Sequence, residues 1–225
     1  MRFWLWIALL LAASAFGAAQ QTEFNRAPSG SLPQGWDACM THSGGVPQWA
    51  VIKDAATRGK PKVLAQLSGD PTQSRYPLAI LREPSILDGT ISVSFKTVSG
   101  KIDQGAGLVW RFVDADNYYV ARANALEDNV VLYKVEKGVR TPIAPNGTPS
   151  GTYGVKHKVA PQVWNRLSVS FHGRNFTVSL NGEKLFEVED GTFAAEGRSG
   201  LWTKADSVIY FRDFGIKSDS ALSGH

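Results

Sequence analysis

Residues 105–141, GAGLVWRFVDADNYYVARANALEDNVVLYKVEKGVRT, constrain the fold more than any other part of the chain. Leu108, Trp110 and Phe112 alternate with Val109, Arg111 and Val113, and two further β-branched and aromatic runs follow at 118–123 and 129–135. A period of two sends successive side chains to opposite faces, so three such runs joined by polar turns predict an antiparallel meander.

Similar runs recur at 49–53, 62–67, 76–81, 89–98, 164–172, 175–180 and 184–188, and the closing stretch 200–216 supplies the final strands. Asn181-Gly182 separates two of these runs, and because both central residues of a type I′ turn need positive φ, this pair predicts a tight hairpin. About ten to twelve strands at this spacing predict an all-β, antiparallel two-sheet jelly-roll sandwich. Residues 20–47 read as an extended lead-in that pins Phe24, Leu32 and Trp36 against the sandwich edge. The stretch 142–155, rich in Pro and Gly, reads as the longest loop and the rim of any ligand site, with Ala205-Asp206-Ser207 as a second rim.

The first nineteen residues show Arg2, an apolar run over 3–13, then small residues ending in Gly17 and Ala19 at the positions a signal peptidase reads. Residues 1–19 are therefore expected to be a signal peptide, 20–219 one sandwich domain and 220–225 a disordered tail. The mature chain is expected to be secreted or periplasmic, with no membrane association after cleavage. Cys39 is the only cysteine, so no internal disulfide can form, and a packed core must hold the exported domain. The formal charge of +4 comes from 24 scattered basic against 20 acidic residues, which speaks for solubility and against nucleic acid as a partner.

No catalytic constellation stands out. Glu187 and Glu189 alternate on one strand, but Gly191 interrupts the third position that a carboxylate triad would need, and Asp190 faces the other way. His42, His157, His172 and His225 lack metal-ligand spacing, and no GxSxG elbow occurs. Asp114, Asp116 and Asn117 could ligate a structural calcium or simply close an Asx turn, and both readings stay open. A sugar needs rings to stack on and fixed polar groups to read its hydroxyls. Arg111, Tyr119, Arg122, Asn124 and Tyr133 in the meander, with Trp202 and Lys204 on a later strand, are the candidate ligand-binding set. Alternation puts Tyr118, Val120, Arg122 and Asn124 on one face; with Trp110 inward, Arg111 is expected to face outward.

Three segments, 105–141, WNRLSVSFHGRNFTVSLNGEKLFEVEDGTF and GRSGLWTKADSVIYFRDFGI, resemble the concanavalin A-like lectin/glucanase sandwiches, and within them the 3-keto-disaccharide hydrolase domain. The resemblance implies a carbohydrate or glycan ligand. Members acting on keto-sugars tend to carry Gly-Asn-Ser-Gly before the central strand and Tyr-Glu-x-Gln after it; here those places read Asp103-Gln104-Gly105-Ala106-Gly107 and NYYVARAN. The expected function is thus an exported, lectin-like carbohydrate-binding module. The alternatives are a hydrolase or lyase acting on 3-keto-sugars and a noncatalytic adhesion module. The sequence leaves the catalytic residues and oligomeric state open.

Overall fold

The computed structural model describes residues 19–219. Apart from Ala19, the expected leader and the expected tail lie outside the described residues. The strands are β1 (Ala19–Thr22), β2 (Trp36–Thr41), β3 (Trp49–Lys53), β4 (Lys62–Gln66), β5 (Tyr76–Leu81), β6 (Gly89–Ser99), β7 (Gly105–Asp114) and β8 (Asn117–Asn124). They continue with β9 (Asn129–Glu136), β10 (Val139–Pro142), β11 (Val155–Lys156), β12 (Asn165–His172), β13 (Asn175–Leu180), β14 (Glu183–Glu189), β15 (Arg198–Thr203) and β16 (Val208–Ser218). No described helix is long and apolar enough to cross a membrane.

Two antiparallel sheets form a jelly-roll sandwich. The first runs β14-β13-β12-β6-β16-β4-β3, with β1 also paired to β16; the second runs β10-β9-β8-β7-β15-β5-β2, with β11 also on β9. The sixteen strands among the described residues exceed the ten to twelve expected. The additions, β1, β2, β10 and β11, are short, polar or Pro-bearing segments that become strands only by pairing with a longer neighbour. The lead-in therefore supplies an edge strand, β2, although it also buries Phe24 and Trp36 as expected.

Between the sheets, Leu108, Trp110, Tyr119, Ala121 and Leu132 of the second sheet meet Ile91, Val93, Phe95, Val169 and Phe171 of the first. Trp110 stacks on Tyr119 at 5.3 Å and meets the edge of Phe176 at 5.3 Å, geometries worth about 0.5–1.5 kcal/mol each beyond the area buried. The Asn181-Gly182 turn forms as the sequence predicts, with φ of 52° and 86° joining β13 to β14.

Alternation fails at one place in the meander. β7 and β8 lose register between Trp110 and Asp114, and Arg111 takes φ of 47°. The bulge inserts residues without partners and re-aims the side chain, so Arg111 does not face outward as expected. Its guanidinium turns inward and donates to the carbonyls of Phe193 at 2.7 Å, Gly173 at 2.7 Å and Leu87 at 3.2 Å. Gly197 is what lets the bulged backbone sit so close. A Cβ there would lie 2.6 Å from the Arg111 Cα and 2.7 Å from its carbonyl carbon. Because the obstacle is backbone, Gly197→Ala is expected to cost about 1–3 kcal/mol, read as a lower urea midpoint with unchanged slope.

Candidate functional site: the outer face of the second sheet

The face of the second sheet turned away from the core is not a wetted surface. Tyr76, Leu78, Ile80, Val109, Phe112, Tyr118, Val120, Val131, Tyr133, Val135 and Trp202 form a second buried cluster there. The shared face expected for Tyr118, Val120, Arg122 and Asn124 is present, but loop and edge segments cover it. Trp202 lies 5.4 Å from the Tyr76 ring, and Tyr76 in turn contacts His42 at 5.4 Å. β10 and β11 both extend the free edge of β9, and the loop between them brings Tyr153 to Tyr133, hydroxyl to hydroxyl at 2.5 Å.

At one end of this face the buried charges gather into one network. Arg122, with no exposed surface, forks onto Glu127 (Nη1 to Oε1 3.3 Å, Nη2 to Oε2 2.9 Å) and also donates to Asn129 Oδ1 at 2.7 Å. Asn124 donates to Asp103 Oδ1 at 3.0 Å and to Glu127 Oε1 at 3.2 Å, and Lys204 Nζ closes onto Asp103 Oδ2 at 2.8 Å. Asp103 is set in turn by the Ala205-Asp206-Ser207 step. The Asp206 carboxylate accepts the backbone N–H groups of Lys101, Ile102 and Asp103, so this step acts as a bracket for the loop before β7. Burial raises the Glu127 pKa, but the hydrogen bond and charge of Arg122 outweigh it and hold this carboxyl below the ordinary glutamate range. The Glu127 side chain is 38% exposed, Lys204 is partly exposed, and Tyr153 is 46% exposed, so a negative, a positive and an aromatic group line the accessible rim.

Five of the seven candidate residues, Arg122, Asn124, Tyr133, Trp202 and Lys204, thus belong to this face, and all but Lys204 lie beneath its surface. The other two do not belong to it. Arg111 is diverted by its bulge, and Tyr119 packs its ring between the sheets, where only its hydroxyl reaches a partner, Asp190 Oδ1 at 2.6 Å. A run of polar and aromatic residues marks the face but not which of them lie in contact with solvent. Glu127, Asn129 and Asp103 were not singled out by the sequence. The Asn124 to Asn129 pairing across the β8–β9 turn is the signal that could have found the first two. Tyr153 lies in the 142–155 loop that the sequence marked as a rim but was not itself singled out, and Arg140 had no local signal, because β10 becomes a strand only by pairing with β9.

The acidic run near the hairpin assembles nothing catalytic. Glu187 pairs with Lys184 at 2.7 Å and Glu189 with Arg174 at 3.4 Å, both at the surface, while Asp190 is taken by Tyr119. Asp114 Oδ1 receives the Asp116 backbone N–H and the Asn117 side-chain amide, each at 2.8 Å. These bonds close an Asx turn, and no group of three or more His, Cys, Asp or Glu among the described residues is arranged to hold a metal. Cys39 packs against the outer cluster, and burial pushes its thiol up to about 11, so it is not poised as a nucleophile.

On the outer face of the first sheet a cleft of about 350 Å³ is lined by Lys53, Asp54, Lys96, Val98, Gln162 and Tyr210, among others. Lys96 and Asp54 form a buried ion pair there, with the Lys96 ammonium 5.2 Å from the Trp164 ring and 5.3 Å from that of Tyr210.

No family model and no curated protein matches the sequence. The fold nevertheless has known counterparts among solved structures. The carbohydrate-binding module CBM66 from Bacillus subtilis superposes with a TM-score of 0.58 at 22% identity, over 82% of this chain and 96% of that one. The cellulose induced protein Cip1 gives a TM-score of 0.58 at 11% identity, over 92% of this chain and 100% of that one. A protein of unknown function with a galectin-like fold from Bacillus subtilis gives 0.51 at 14%, over 81% and 89%. At these identities the likeness is one of fold, and the class it defines is that of the two-sheet jelly-roll β-sandwiches.

Proposed function

We propose that the protein is an exported carbohydrate-binding module that holds a glycan on the outer face of its second sheet without cleaving it. The observation that carries this reading is the Arg122-Glu127-Asn129-Asn124-Asp103-Lys204 network beside the Tyr133–Tyr153 pair. Fixed, mutually bonded polar groups next to an exposed ring suit a sugar, because hydroxyls need donors and acceptors already held in place, and the ring's apolar face needs an aromatic one. Glu127 and Lys204 read hydroxyls at the rim, while Arg122 and Asn124 hold Glu127 in position from below. The fold likeness to the carbohydrate-binding module CBM66 supports the same class. Glu127 is paired to a buried arginine and held ionised, which suits binding and ill suits a general acid, so we favour recognition over hydrolysis.

A glycan array with the mature protein is expected to show saturable binding. Glu127→Gln and Tyr153→Ala should each weaken it about tenfold, the size of one lost charged hydrogen bond or stacking contact, with the melting curve still cooperative. Unchanged affinity in both variants would remove this face from the proposal, and release of reducing sugar from a 3-keto-disaccharide would replace recognition with catalysis.

A further inference from the structure

Arg140 stands apart from the other cations of the outer face. Its guanidinium carbon lies 4.5 Å from the Tyr133 ring centroid, 4.9 Å from that of Tyr76 and 5.7 Å from that of Trp202, so three rings from β9, β5 and β15 cage it. Its neighbours in charge are all committed: Arg122 to Glu127, Lys204 to Asp103, Lys134 to Asp190, and Arg82 to Asp37. Arg140 makes no ion pair and no side-chain hydrogen bond among the described residues, and its Nη1 is buried without an acceptor. The side chain as a whole is partly exposed on the edge strand β10. Asp116 and His42 approach Gly138, two residues away, yet the carboxylate is not within ion-pair distance of the guanidinium.

Rings hold a guanidinium flat and in place without consuming its hydrogen-bond donors, whereas a carboxylate would consume two of them. A caged arginine with unused N–H groups at a ligand rim is therefore a prepared receptor for a planar or tetrahedral oxyanion. Resting on the carbohydrate reading above, we infer that the glycan is acidic, and that Arg140 receives its carboxylate or sulfate group while Glu127, Lys204 and Tyr153 read the adjoining sugar. The positive formal charge of the chain adds a weak general attraction for a polyanion, whereas a positioned, forked cation favours the acid over its neutral ester at one place on the ligand.

The test is calorimetric titration of the protein with oligogalacturonate and its methyl ester, and with dextran sulfate and unmodified dextran, with an oligonucleotide of matching charge as control. One acid is expected to bind about tenfold or more tightly than its neutral form, and which pair shows it distinguishes carboxylate from sulfate. Arg140→Gln should abolish that preference, the acid then binding no more tightly than its neutral form, and Arg140→Lys should recover only part of it, since an ammonium keeps the charge but loses the fork. Equal affinity for acid and neutral forms would overturn the acidic-ligand inference and leave the carbohydrate reading standing. Absence of binding to any of these together with a silent glycan array would overturn both. Equal binding of the oligonucleotide would overturn the inference by reducing it to nonspecific charge. Should Arg140→Gln fail to fold, the acid-against-ester comparison on the unaltered protein and the Arg140→Lys titration decide the matter.

Discussion

Arg111→Ala is expected to destabilise the protein by about 3–5 kcal/mol, lowering its melting temperature by roughly 10 °C, more than the loss of any exposed polar residue. The side chain is 1% exposed; its Nη atoms donate to the carbonyls of Leu87, Gly173 and Phe193, which belong to three separate loops, and Nη2 also lies 3.4 Å from the Asp88 carboxylate. Truncation leaves three acceptors without that partner, each a penalty of about 1–3 kcal/mol where water cannot replace it, and opens a cavity under Phe176, over whose ring the guanidinium lies at 5.6 Å. Because the carbonyls belong to the ends of three connections, the loops should also loosen together, seen as faster amide exchange around 87, 173 and 193 in one variant. If urea unfolding moves by less than about 1 kcal/mol, the bulge at Arg111 is not a structural anchor.

Asp54→Ala should be of similar size, about 3–5 kcal/mol, because it leaves the Lys96 ammonium buried beneath Trp164 and Tyr210 with its carboxylate removed. The double variant Asp54→Leu with Lys96→Met should recover most of that loss, since removing both charges removes the desolvation cost along with the attraction. A double variant no more stable than the single one would show that the pair's geometry, not its charge balance, is what matters. The same carboxylate gives stability a pH dependence. Burial pushes the Asp54 carboxyl up, but hydrogen bonds from Lys96 and Thr57 pull it further down, below the ordinary aspartate value. Asp206 behaves alike, raised by burial and lowered more strongly by the backbone N–H groups of Lys101, Ile102 and Asp103. With native values below the unfolded ones, the unfolded chain takes up protons first. The stabilisation is therefore complete above about pH 4 and disappears as pH falls through the native values. Urea midpoints from pH 7 to pH 2 should stay level and then fall in that acid range; a midpoint that rises toward acid would contradict the assignment.

The sandwich was legible because burial between two sheets demands a period of two, and most strands carry it in their own residues. β5 and β13 match the expected limits, and the Asn181-Gly182 turn forms where its backbone chemistry requires. β2, β10 and β11 were not legible, since WDACMT, VRTP and VK have no pattern of their own and become strands through hydrogen bonds that a neighbour offers. The site divides the same way. Alternation put Arg122 and Asn124 on one face, and the structure keeps them there. Alternation also put Arg111 outside, and a bulge reversed it, because one register shift overrides every inference from parity.

The sequence by itself determined the all-β class, the two-faced meander and the polar and aromatic residues of β8 and β9, because each of these follows from spacing along one strand. Only the tertiary structure decided that the outer face is covered, that Glu127 and Asp103 join the Arg122 network, and that Tyr76, Tyr133 and Trp202 close around Arg140. Those contacts join residues distant in sequence. They are set by strand order and by the path of the loop between β10 and β11, and no local periodicity encodes either.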